Sequence, residues 1–426
     1  MDDDNDRYLT ISPPPTPAFS DEIDNGDGST TTITDGYLRA ALEDIVTNYP
    51  PRSRYPQEAL HGLWSGPTGI AYLLLSVSAR RPDLGPLRGR SAADWARAYL
   101  GPGGSRGHSL RLGSHGCGIG DEKMAYEAVR CAAAAKEWRE SLSSSSSSFS
   151  SSSSSSSSTL LPGPLRESIR RFVNDCVGQV LAVDEYPDEM LYGRAGALYF
   201  LRMVRSWVGE ASHELLDPAI AEISNTILNR GPRWRWHGRR YLGAVHGDIG
   251  IVTQLVLTSP ELAGRLQPVL ERLLDMQLPD GNWPSSEESG ARGKGLVQFC
   301  HGAPGFVLSL TALRPCFPEL HDRIDAAIQR GRECIRMQGL LKKEPSLCHG
   351  IFGNALALAR GPERERFLAV ATPESVARMK RADPTVFERA DYGRSYATTT
   401  SYAPSAVWAW LVWRDEEPRM LGYNDT

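Results

Sequence analysis

Leu347-Cys348-His349-Gly350-Ile351-Phe352-Gly353, running on into Asn354-Ala355-Leu356-Ala357-Leu358-Ala359, is the stretch that decides how this chain folds. A Gly-x-x-Gly turn opens directly into residues with almost no polar face, and a helix apolar nearly all round has to be surrounded by other helices. The same arrangement recurs upstream. Gly302-Ala303-Pro304-Gly305 precedes FVLSLTAL, Gly247-Asp248-Ile249-Gly250 precedes IVTQLVL, Gly193-Arg194-Ala195-Gly196 precedes ALYFLRMV, and Gly66-Pro67-Thr68-Gly69 precedes IAYLLLSV. Gly113-Ser114-His115-Gly116 is a sixth, more irregular copy.

One copy would carry no weight, because glycine relieves crowding wherever a loop meets a helix. Six copies, most of them roughly 50 residues apart, mark a repeat architecture. The one long interval, from Gly113 to Gly193, contains residues 143–158, which are serine apart from Phe149. Such a run has no apolar periodicity with which to join a core, so residues 141–160 are expected to form a disordered Ser-rich loop. Before each following turn lies a more amphipathic helix, such as Leu165 to Val180 or Leu262 to Met276. Inner and outer helices that cannot bury their own faces must stack or close on themselves. The expected fold is therefore all-α: an α/α toroid, a double ring of helical hairpins with the Gly-x-x-Gly turns gathered at one end of the inner ring. Residues 1–35, with Pro13-Pro14-Pro15 and an acidic, Ser/Thr-rich composition, read as a mobile tail before a single domain spanning 36–426.

Hydrophobic residues make up 41% of the 426 and charged residues 23%, with a net charge of -4, so the chain has no basic footprint for nucleic acid. It opens Met-Asp-Asp-Asp-Asn-Asp, the opposite of a secretory signal, and its apolar runs fall short of the roughly 20 residues that span a bilayer. A cytoplasmic protein without a transmembrane segment is expected. Seven scattered cysteines suit a reducing compartment, and Cys131, Cys176, Cys316 and Cys334 read as small buried hydrophobes.

The turns collect a reactive set: His115, Glu189, Tyr192, His246, Cys300, His301, Cys348 and His349. Thiolate and neutral imidazole are the ligands zinc prefers, and three protein ligands leave the fourth tetrahedral position open, as in catalytic sites. Cys300 and Cys348 supply two ligands, and spacing alone leaves His349 or His301 as the third. Ligand type and the lack of a redox or haem motif favour zinc over iron or copper. An α/α-barrel glycosidase would need two suitably spaced carboxylates, and only Glu189 and Asp248 lie at turns.

The segments YGRAGAL, GAVHGDIGI, FCHGAPGF and LCHGIFGNALALA resemble, in order and spacing, the turn motifs of lanthionine synthetase C-like proteins, eukaryotic branch, over about residues 37–415. The resemblance implies a toroid of about seven helical pairs and zinc held by Cys300, Cys348 and His349. It further implies zinc-dependent addition of a thiol, glutathione or a peptide cysteine, to dehydroalanine or dehydrobutyrine in a peptide or protein. Attack on the β-carbon places charge on an enolate that needs a proton and electrostatic support. His246 matches the family's histidine and is the expected acid, with Glu189 and His301 in supporting positions. Lys343 matches a lysine used for glutathione, and Arg394 stands where the family has an arginine. The alternative activity class is a glutathione-binding or regulatory zinc protein without turnover. The chain departs from the pattern at Ser401-Tyr402-Ala403-Pro404-Ser405-Ala406-Val407-Trp408, where the seventh turn is missing and either a different ring closure or a remodelled cavity wall is expected. His115 is left outside the catalytic set.

Overall fold

The structure, a computed structural model, describes residues 7–9, 19, 22–24, 30–101, 110–114, 116–146, 160–292, 295–389 and 396–426. A short antiparallel ribbon, β1 (Glu22–Asp24) with β2 (Thr30–Thr32), precedes α1 (Ile33–Asn48), whose first turn is capped by Thr32. A short α2 (Gly62–Ser65) leads into α3 (Pro67–Arg80), followed by α4 (Ala92–Leu100) and the long α5 (Glu122–Ser146). Helix α6 (Gly163–Arg171) continues through a π-helical turn, Phe172–Val177, into α7 (Gly178–Ala182). From α8 (Arg194–Val208) the alternation is regular: α9 (His213–Arg230), α10 (Asp248–Thr258), α11 (Ala263–Asp275), α12 (Ala303–Leu313), α13 (His321–Gln338) and α14 (Ile351–Ala357). Helices α15 (Pro362–Val370), α16 (Pro373–Ala382) and α17 (Tyr402–Val412) complete the order.

The pattern of apolar residues sorts these helices into two layers. Helix α11 buries Leu266, Val269, Leu270, Leu273 and Leu274, a single stripe at helical spacing, whereas α12 is buried along nearly its whole length. The inner helices touch in the sequence α3, α5, α8, α10, α12, α14, α17, and α17 packs back on α3. The ring is closed and seven-membered. Each inner helix carries an outer partner, and α1 packs on α17, so the first helix covers the last.

The glycines do two jobs at the turns. Gly66, Gly193, Gly247, Gly302 and Gly350 cap inner helices, and a Cβ on the second glycine of the same motifs (Gly69, Gly196, Gly250, Gly305, Gly353) would collide with the carbonyl oxygen six residues upstream. That close approach packs the chain ahead of each turn against the start of its own helix. The pre-turn segments are then stitched to one another. Leu63 N donates to Ile119 O (2.9 Å), Ile119 N to Met190 O (3.1 Å), and Met190 N to Val245 O (3.0 Å). Cys300 N donates to Cys348 O (3.5 Å), Cys348 N to Thr399 O (2.8 Å), and Thr399 N to Trp64 O (3.2 Å). Between Val245 and Cys300 the belt is completed by close packing of Gly243 on the Cys300 carbonyl. The bonds all run in the same sense, from the N–H of one repeat to the carbonyl of the next.

The irregular repeats keep this belt by other means. Gly113 and Gly116 are not the turn that starts the second inner helix, because α5 begins only at Glu122 and Ile119 takes the belt position. Asp121 caps that helix, accepting from Met124 N (2.8 Å) and Gly113 N (2.8 Å). In the seventh repeat Thr399 holds the belt position and Ser405 Oγ accepts from Leu347 N (3.1 Å), so the ring closes there without a Gly-x-x-Gly.

The described parts of the N-terminal segment are docked on the domain. Lys342 N donates to Arg7 O (3.0 Å), Leu9 N to Leu340 O (2.8 Å), and the Phe19 ring packs edge-on against Trp410 and Trp413. The serine run begins as helix, since α5 continues through Ser146, and residues 147–159 lie outside the described residues.

The middle of the ring is filled by Met420–Asp425. Trp64 Nε1 donates to Leu421 O (3.0 Å), Arg202 Nη2 to Tyr423 O (2.7 Å), and Tyr72 to Asp425 Oδ2 (2.8 Å), while the Tyr423 and Ser309 hydroxyls are 2.6 Å apart. The Tyr423 ring meets Phe299, the residue before Cys300, at 5.1 Å. Among the described residues no helix is long and apolar enough to cross a membrane.

Candidate functional site

The belt places equivalent residues of successive repeats side by side, and this is how two cysteines far apart in sequence meet. The ligand atoms of Cys300, Cys348 and His349 all lie within 4.8 Å of one another and all three residues are buried. Cys300 Sγ and His349 Nδ1 are 3.8 Å apart. Two thiols and an imidazole at such separations suit a tetrahedral ion, whose sulfur ligands at about 2.3 Å sit roughly 3.8 Å from each other. The donor set and its compactness therefore fit zinc with one position open. The other histidine, His301, stands apart from this group: its Nδ1 is buried without a hydrogen bond among the described residues, and its ring faces Tyr241 (5.8 Å) and His246 (6.1 Å). Burial pushes the His301 pKa down, which keeps the ring neutral.

The two thiols share their protons unequally. Hydrogen bonds from Cys348 and then His349 hold the Cys300 thiol well below the usual range against the cost of burial, while the Cys348 thiol, donating to Cys300 and buried, is pushed well above it. Gln298 adds to the asymmetry. Its Nε2 donates to Cys300 Sγ (3.0 Å) and its Oε1 accepts from Lys343 Nζ (3.4 Å), linking an exposed ammonium to a buried sulfur.

Across the same end of the ring, His246 Nδ1 donates to Glu189 Oε2 at 2.6 Å. Glu189 is itself fixed, accepting from the backbone of Leu191 (3.0 Å) and Tyr192. Its turn is held by buried Arg194, which pairs with Asp188 (3.0 Å) and donates to Val183 O (2.7 Å). The belt bond from Met190 to Val245 then sets Glu189 beside His246. With Nδ1 engaged, Nε2 is the ring nitrogen left for chemistry. Arg394 and His115 fall outside the described residues.

Residues 147–365, just over half of the chain, match the family described as lanthionine synthetase C-like protein. The chain belongs to this family. It is 31% identical over 186 residues to glutathione S-transferase LANCL1 of Danio rerio, an alignment covering 40% of this chain and 45% of that protein. It is 34% identical over 181 residues to LanC-like protein GCL1 of Arabidopsis thaliana, covering 40% of this chain and 41% of that one. The alignments thus span less than half the length of either relative.

Within this lanthionine synthetase C-like chain, sequence reasoning missed three residues that the structure brings to the site: Trp236, Tyr241 and Gln298. Gln298 lies only two residues before Cys300, but the chain bends between them, with Gln298 N donating to His301 O (3.2 Å), so spacing alone did not place its amide on the sulfur. Trp236 and Tyr241 lie in RWRWHGRRYLGAVHG, where His237-Gly238 is a two-residue hairpin signal just ahead of His246. Burial raises the thiol pKa values of Cys131 and Cys334 to about 12, and raises those of Cys117, Cys176 and Cys316 as well.

Proposed function

We propose that this chain adds a thiol, glutathione first among the candidates, to the β-carbon of dehydroalanine or dehydrobutyrine in a peptide or protein, in a zinc-dependent reaction. The observation that carries this reading is the pairing of two devices at one end of the ring: the compact Cys300, Cys348 and His349 donor set and the His246–Glu189 dyad. Zinc held by the three donors would supply the positive charge that lowers the proton affinity of an incoming thiol at the open position. The thiol proton leaves to solvent, the sulfur–carbon bond forms as the alkene π bond breaks, and the electron pair moves onto the enolate. His246 then delivers a proton to the α-carbon, with Glu189 stabilising the imidazolium beforehand. His301, neutral and uncommitted at Nδ1, lines the space between the two devices. Lys343 offers a cation for a glutathione carboxylate on the side of Cys300.

The test is direct. Purified protein should carry about one zinc per chain and convert a dehydroalanine peptide plus glutathione to the thioether, while His246→Ala should retain zinc and lose roughly 10²–10⁴ of the rate. Zinc-free protein, or adduct formation at the uncatalysed background, overturns the proposal; glutathione retained without adduct formation would instead support the binding role.

A further inference from the structure

The indole of Trp236 lies flat on the imidazole of His246, with ring centroids 3.9 Å apart and planes 2° from parallel. Tyr192 completes a set of nearly parallel rings, 6.0 Å from Trp236 and 6.3 Å from His246. The indole is delivered by a tight hairpin. Trp236 N donates to Arg239 O (3.0 Å) and Arg239 N to Trp236 O (3.1 Å), with His237 (φ 46°) and Gly238 (φ 75°) both left-handed at the tip. Its base is anchored on either side. Buried Trp234 donates to Ile227 O (2.9 Å) in α9, and Arg240 pairs with Glu287 and Asp248. Trp236 itself remains only half-buried, so core packing does not account for an indole at this position.

We propose that Trp236 is a positioning residue for His246: it fixes the plane of the imidazole from one face while Glu189 fixes its edge, and its π cloud favours the imidazolium that acts as proton donor. This rests on the acid role given to His246 above. A cation over an aromatic face is stabilised by the ring quadrupole, most strongly for tryptophan, and a half-exposed face keeps that attraction without the full cost of dehydration. The other groups facing His246 are Glu189 at Nδ1, the Tyr192 and Tyr241 rings, and His301, with His237 behind the indole. Glu189 holds a proton donor at Nδ1 but leaves the ring free to tilt about that bond. The indole removes the tilt, so Nε2 is presented along one direction.

The experiment is a titration of His246 by NMR in the zinc-loaded protein, its imidazole resonance assigned by loss in His246→Gln, alongside Trp236→Leu and Trp236→Phe. Trp236→Leu should move the His246 midpoint down by about half a pH unit or more, the size expected of a cation–aromatic contact at a partly exposed site. Trp236→Phe should keep most of the wild-type midpoint, and the fall in rate with rising pH should move with the midpoint in each variant. Zinc content and helical signal should not change. An unchanged or raised midpoint in Trp236→Leu overturns the proposal. Because the NMR titration needs no substrate, it separates this outcome from failure of the acid role, which would show as full activity in His246→Ala.

Discussion

Two turns of nearly identical sequence, Cys300-His301-Gly302 and Cys348-His349-Gly350, do different work. In the first, Gly302 has φ 100° and ψ -166°, a region closed to other residues, and Asn282 braces it by accepting from Ala303 N (2.7 Å) and donating to Leu296 O (3.3 Å). In the second, Gly350 is extended at φ -135°, and Asn354 reaches across to Val297 O and Gly339 O, both 2.9 Å away. The side chains diverge accordingly. His349 joins the two sulfurs, whereas His301 faces Tyr241 and His246. Repetition supplied both turns, and backbone conformation at one glycine distinguishes how each helix is joined. On the proposed reading both copies of the motif give a sulfur ligand, but only the second gives its histidine to the metal, while the first turns its histidine toward His246.

The strongest way to break the comparison is at the sulfurs, the part the turns share. Cys300→Ala and Cys348→Ala should each reduce bound zinc from about one per chain to near zero, as loss of one thiolate from a three-ligand site demands; metal analysis after dialysis reads this directly. The histidines should then separate. His349→Ala should weaken zinc by about 100-fold or more in a chelator competition while His301→Ala keeps it, and equal losses would erase the distinction. At the glycines, Gly302→Ala should cost about 3 kcal/mol or more in denaturant unfolding, because strain in φ adds to a collision with the Leu296 carbonyl. Gly264→Ala, in α11 with open space around it, is the control and should stabilise by about 0.4–1 kcal/mol. Among the changes at the metal site, the smallest effect is expected from Gln298→Leu, which removes a donor that Cys300 has: roughly tenfold weaker zinc, with the fold intact.

What could be read from sequence followed from repetition. Apolar helices behind glycine turns at regular spacing leave few alternatives to a closed double ring, and thiols beside imidazoles at equivalent positions leave few to a metal site. Spacing alone did not tell whether His301 or His349 joins Cys300 and Cys348, because neighbouring residues in a turn differ by a backbone rotation that no spacing encodes; only the family resemblance pointed to His349. Trp236 was invisible for a related reason: it reaches His246 from a hairpin, and hairpin tips are placed by what anchors their base. The second repeat misled because its conspicuous glycines lie ahead of the real helix start, which an aspartate caps. The seventh looked broken because its belt position is held by backbone groups of Thr398 and Thr399, whose hydrogen bonds are indifferent to side chain.

The segment that fills the ring also sets a schedule. Tyr423 supports Phe299 and thereby Cys300 and bonds to Arg202 and Ser309, while Leu421 and Asp425 bond to Trp64 and Tyr72, all residues drawn from repeats made long before it. A chain growing on the ribosome therefore exposes the inner faces of α3 to α14 until α17 has paired with α1 and residues 420–425 have moved into place. In that interval the half-lined apolar ring presents the exposed hydrophobic surface that makes partly folded chains prone to aggregate.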